Sequence, residues 1–132
     1  MAIFKDMQDA YDQTVAHLEK QGEQAQNTNS AACVYLSDSG QKCAIGAFIP
    51  DGHPAQNSRG CVKKLFHRFP SLKQDVFTIP GATETECLSF WISLQQAHDN
   101  ASDTEQMHEY LQKIAGHWGL TPKTVTSWKG AL

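Results

Sequence analysis

The chain has 132 residues, 40% of them apolar and 19% charged, with a formal net charge of −3 at pH 7. This is the make-up of one ordinary globular domain, and its weak negative charge excludes a general electrostatic pull toward nucleic acid or an anionic membrane. The opening residues MAIFKDMQDAYDQ offer no signal-peptide run, and no segment approaches the roughly 20 apolar residues of a membrane span. The expectation is therefore a cytoplasmic protein without membrane contact, in which Cys33, Cys43, Cys61 and Cys87 are reduced thiols.

In chain order, Phe4, Met7, Tyr11, Val15 and Leu18 form one apolar stripe and predict a helix from about Ala2 to Gln21, stopped by Gly22. Glu23 to Ser30 is polar and reads as a loop. Cys33–Leu36 and Lys42–Ile45 flank the turn residues Ser37-Asp38-Ser39-Gly40 and predict a small β-hairpin. After a loop from Asp51 to Ser58, Ser58 is placed to cap a helix from Arg59 to Phe69, ended by Pro70. Val62, Leu65, Phe66 and Phe69 face inward, and an irregular stretch closes at Pro80-Gly81. Thr83 with Glu86, and Ser102 with Glu105, each fit a capping box. They open helices from Glu84 to His98 and from Asp103 to Trp118, with Gly119 as terminator. Thr121-Pro122 reads as the start of a short last helix reaching Lys129. The fold class is mainly α with a minor β element: four to five helices and one small hairpin in a single compact domain, residues 1–132.

The residues Cys33, Tyr35, Gly40, Lys42, Cys43, Ala44, Gly46, Ile49, Pro50 and Asp51 make the pattern C-x-Y-(x)4-G-x-K-C-A-x-G-x-x-I-P-D. Phe69, Pro70 and Leu72 follow, then Leu94, Gln95, His98 and Asp99 as L-Q-x-x-H-D. Leu111, Ile114, Ala115, Gly119 and Leu120 complete it. Over about residues 3–120 this order of motifs resembles a family of small proteins found in phages and in bacterial genomes. The resemblance implies a shared fold and a phage or prophage setting, and no reaction. The chain departs from the family at Leu36, where Arg is frequent, and at Gly52-His53-Pro54, where an acidic residue and a Tyr are frequent.

Several constellations carry chemistry. Cys33 and Cys43 with His53, His67 or His98 have metal-ligating side chains, but zinc sites are usually built on close cysteine pairs and none is present, so core-filling thiols are the expectation and no metal or cofactor is assigned. Cys43 with His98 and Asp99 is the arrangement a cysteine hydrolase would need. Because Asp99 follows His98 directly at a helix end, its carboxylate is expected to point away, and His98-Asp99-Asn100 reads as helix-terminating chemistry instead. Arg59, Lys63, Lys64, His67 and Arg68 crowd one helix, fit either to dock on phosphate or an acidic protein or to form a solvated face. The C-terminal LQKIAGHWGLTPKTVTSWKGAL resembles a helix-turn-helix whose second helix would present Lys123, Thr124, Thr126, Ser127 and Lys129 to DNA. Against it, residues 103–132 carry three Lys and three acids and are neutral.

The leading expectation is a non-enzymatic binding protein of phage type that holds a host protein or small ligand stoichiometrically, as a counter-defence inhibitor would. Its contact face is read as Tyr35, Lys42, Asp51, His53, Arg59, Lys63, Lys64, His67 and Arg68. A DNA-binding regulator acting through residues 111–129 is the alternative, and a Cys/His hydrolase a further one. Trp128, taken as an exposed tail residue, would serve as a homodimer contact or fold back.

Overall fold

The computed structural model of the chain describes residues 3–25, 35–58 and 60–130, and within them the protein is mainly helical. Helix α1 spans Met7–Gln21. It starts five residues later than the apolar stripe predicts, because Asp6 acts as N-cap, its carboxylate accepting the Asp9 amide at 2.8 Å. Phe4 stays buried outside the helix, edge-on to Phe48 and tilted on Trp91. Gly22 ends α1 as expected.

The predicted hairpin reduces, among the described residues, to its turn and one antiparallel bridge between Leu36 and Lys42. Residues 33 and 34, which carry Cys33 and half of the first arm, lie outside the described residues. The turn is tied by the Ser37 amide on Gln41 O at 2.8 Å and the Gln41 amide on Ser37 Oγ at 2.9 Å. On the outer side of the bridge residue Lys42, Gln21 of α1 takes the place of a neighbouring strand. Its Oε1 accepts the Lys42 amide and its Nε2 donates to the Lys42 carbonyl, both at 2.8 Å. The backbone then coils into short 3-10 turns at Gly46–Phe48 and Pro54–Asn57.

Helix α2 covers only Val62–Arg68. Ser58 does not cap it, since Gly60 sits at φ +104°, a left-handed geometry that interrupts any earlier start. Pro70 does not leave an irregular stretch behind it. Phe69 breaks the helix at φ −126°, ψ 70°, and Pro70 occupies the first position of α3, Pro70–Leu72, where its missing amide costs nothing. The chain continues through a π-helical turn at Lys73–Phe77. Helix α4, Glu84–Asn100, opens with the predicted Thr83–Glu86 capping box. Helix α5, Thr104–Trp118, is capped one residue later than expected: Asp103 accepts the Gln106 amide at 2.9 Å, and Gln106 Oε1 reaches back to the Ser102 amide at 3.0 Å.

α4 lies between α2 and α5. Its Trp91 is fully buried and meets the rings of Phe4, Phe48, Phe77 and Phe90 at centroid distances of 5.1–5.7 Å. The indole N–H donates to Phe77 O at 2.9 Å, so the ring enters the core with no orphaned donor. Burial of each such side chain contributes about 1.5–3 kcal/mol.

Residues 120–130 form no helix, which corrects the sequence expectation. Distant groups capture the amides that helix would have used. Thr121 donates to Gln8 Oε1 at 2.8 Å, Lys123 to the Tyr11 hydroxyl at 3.0 Å and Thr126 to Glu19 Oε2 at 2.6 Å. Trp128 donates to Thr104 Oγ1 and Lys129 to Gly22 O, each at 2.9 Å. The segment is an extended strap, joined to the end of α1 by a parallel bridge between Glu23 and Lys129. Trp128 folds back, 4% exposed, with its indole N–H on Ala101 O.

The strap carries a pH dependence. Hydrogen bonds from the Thr126 hydroxyl and amide hold the Glu19 carboxyl below its ordinary 4.5. A lowered folded value means stability that is present above the unfolded value and lost as pH falls through the folded one. The difference in melting temperature between the wild type and Glu19→Gln is therefore expected to shrink as pH is lowered from about 6 to about 3. A difference independent of pH in thermal melts would remove this role.

Candidate functional site

Two places gather the residues that the sequence singles out. The first is a polar hub at the last turn of α4, built of the buried His98 and the half-buried Gln95 and Asp99. Asp99 Oδ1 accepts from His98 Nδ1 at 2.8 Å and from Gln95 Nε2 at 2.9 Å. Gln95 Oε1 accepts the Ile45 amide at 3.3 Å, and His98 Nε2 accepts the Ala25 amide at 2.9 Å. That last bond sets the tautomer: the ring proton is on Nδ1 and faces Asp99. The expectation that the Asp99 carboxylate points away is thus overturned. Asp99 closes onto its neighbour because the helix end leaves its side chain free to fold back and Gln95 holds it there. His17 adds a further tie, its Nε2 lying 2.8 Å from Lys42 O, and burial lowers its pKa from the ordinary 6.5.

The hub joins the end of α1, the 35–46 loop and the end of α4, so the K-C-A-x-G and L-Q-x-x-H-D motifs meet in space. It does not assemble the thiol–imidazole pair. His98 is fully buried with both nitrogens engaged. Cys43 is fully buried, its sulfur accepts the Gly46 amide at 3.2 Å, and burial pushes the thiol up to about 12. A thiol so placed stays protonated and is a poor nucleophile.

Tyr35 also belongs inside, which corrects its assignment to the contact face. It is 4% exposed, donates to Gly60 O at 2.9 Å, and burial raises its pKa. Among the described residues no group of three or more His, Cys, Asp or Glu side chains is gathered to hold a metal ion. No helix there is long and apolar enough to cross a membrane.

The second place is the outer face of α2. Lys63, Lys64, His67 and Arg68 are all exposed on its seven residues, with the Arg68 guanidinium 5.9 Å from the Phe69 ring centroid. Arg59 lies outside the described residues. His53 accepts the Ala55 amide through Nδ1 at 3.0 Å and sets its ring edge-on to Phe69, at a centroid distance of 5.5 Å. Lys42 pairs with Asp51 at 3.0 Å, an ion pair that holds the Asp51 carboxyl below its ordinary range. Such an exposed pair contributes little to stability and remains available to a partner.

Beside the α2 ridge runs a cleft of about 800 Å3. Lys63, Phe66 and His67 of α2, Lys73 and Phe77 of the π-helical turn, and Glu84, Thr85 and Leu88 of α4 line it. Lys73 pairs with Glu84 across it, which lowers the Glu84 pKa. Sequence reading missed this cleft because it took Pro70 as a terminator. The available signal was Pro70 itself, a residue as well suited to starting a helical turn as to ending one.

The proposed DNA-reading residues Lys123, Thr124, Thr126, Ser127 and Lys129 are exposed but sit on the extended strap. Thr124 and Thr126 are occupied by His108 and Glu19. The recognition helix that the motif requires is not formed. Comparison with protein-family models, with curated proteins and with solved structures finds no match.

Proposed function

We propose that this chain is a non-enzymatic binding protein that holds an acidic host protein or small ligand stoichiometrically, in the manner of a phage counter-defence inhibitor. The observation that carries the reading is the cationic α2 ridge. Lys63, Lys64, His67 and Arg68 stand exposed together on one short helix of a chain whose net charge is −3, and two of them, Lys63 and His67, line a cleft. A local patch of opposite sign to the whole molecule steers and orients an acidic partner. The burial of Cys43 and the full engagement of His98 support action by surface complementarity. The exposed Lys42–Asp51 ion pair is a further polar group available to a partner. The phage setting rests on the motif resemblance alone.

The test is affinity capture from bacterial lysate with the wild type and with Lys63→Glu/Lys64→Glu/Arg68→Glu, all exposed positions. A partner retained one-to-one by the wild type, and at least about tenfold less by the reversed variant, is expected. Equal retention by both, or release of a chemically altered partner, would overturn the reading.

A further inference from the structure

Beyond its place beside the ridge, the cleft has a composition that specifies a ligand. Its apolar lining comes from the largely buried rings of Phe66 and Phe77 and the half-buried Leu88, and its cationic lining from Lys63, His67 and Lys73. Its volume of about 800 Å3 lies within the range of pockets that enclose small molecules. A π-helical turn, a backbone irregularity that recurs at functional sites, supplies Lys73 and Phe77.

One wall contributes a carboxylate of its own. Glu84 reaches Lys73, yet its side chain is 75% exposed, so the pair is held in water and is readily exchanged. Glu84 thus marks where an incoming anion would sit, on the ammonium of a lysine whose side chain is 29% exposed. Lys63 and His67 offer further donors in the lining. An apolar body between Phe66 and Leu88 would be removed from water while its anionic end exchanges with Glu84 on Lys73.

We infer that the cleft between α2, the π-helical turn and α4 is a binding site for a small organic anion, a flat apolar body carrying a carboxylate or phosphate, with Lys73 and Lys63 as its charge partners and Glu84 as the internal competitor. The inference rests on the reading of the α2 face as the working face. It is testable without the partner, so its failure and that of the capture experiment are separable.

The experiment is fluorescence titration of the full chain with anilinonaphthalene sulfonate, followed by displacement with naphthyl phosphate and with neutral naphthol. One saturable site per chain is expected, with naphthyl phosphate displacing the probe at least about tenfold better than naphthol. Lys63→Ala should weaken binding about fivefold, and Glu84→Gln should tighten it about threefold by freeing Lys73. Thr85→Trp, from an exposed wall position, should fill the cleft and abolish binding while leaving the far-UV circular dichroism unchanged. Absence of saturable binding up to about 1 mM would overturn the assignment. So would equal displacement by naphthol, or binding indifferent to Thr85→Trp and to both charge changes.

Discussion

His98→Ala is expected to lower the stability of the protein by about 2–5 kcal/mol. The imidazole is fully buried, so its removal opens a cavity that the Trp128 ring, at 5.6 Å, fills only in part. The same change orphans the Ala25 amide and takes one donor from Asp99. An unpaired buried amide alone costs about 1–3 kcal/mol. Against a total stability of about 5–15 kcal/mol, the variant should unfold at a clearly lower urea concentration with an unchanged slope. His98→Gln should recover part of the loss, because its amide oxygen can accept the Ala25 N–H. If His98→Ala unfolded within about 0.5 kcal/mol of the wild type, the hub would not be structural. Loss of partner capture in such a stable variant would mark the imidazole as a working group.

Gly46→Ala is expected to be at least as damaging, at about 3 kcal/mol or more. A Cβ on Gly46 would lie 1.9 Å from the Tyr35 carbonyl oxygen and 2.8 Å from its carbon. Both obstacles are backbone, so no side-chain rotation relieves the clash. Tyr35 cannot retreat, since its ring is buried and its hydroxyl is fixed on Gly60 O. The 35–46 loop would have to part, exposing Cys43, Ala44 and Ile45, which are fully buried. Gly116→Ala is the control: its Cβ meets nothing within 4 Å inside α5, and helix propensity favours Ala by about 0.5–1 kcal/mol. Urea melts of the two variants should therefore move in opposite directions. A Gly46→Ala protein as stable as the wild type would refute the close approach of the two backbone segments.

Much of the candidate site was legible as chemistry and illegible as place. Lys63, Lys64, His67 and Arg68 are exposed on one helix, as their spacing predicts. Tyr35 was misassigned because an aromatic with a hydroxyl suits a surface anchor and a core position equally, and only its bond to Gly60 distinguishes them. The Asp99 carboxylate was misdirected because helix geometry governs only the Cβ vector, while Gln95 and His98 decide the rest. Phe77 and Lys73, which build the cleft, lie beyond a proline whose two roles look identical in sequence.

Helices α4 and α5, the body of α1, and the Gly22 and Gly119 stops could be read from local patterns. These depend on contacts within a few residues, where side-chain spacing, caps and backbone preference act directly. The course of residues 70–77 and 120–130 was set instead by long-range contacts. In the strap the local preference for a last helix was overridden by the carboxylate of Glu19, the hydroxyls of Tyr11 and Thr104 and the carbonyl of Gly22. Backbone amides donate to whichever acceptors the whole fold brings near, and acceptors 24 to 112 residues away leave no mark on local sequence.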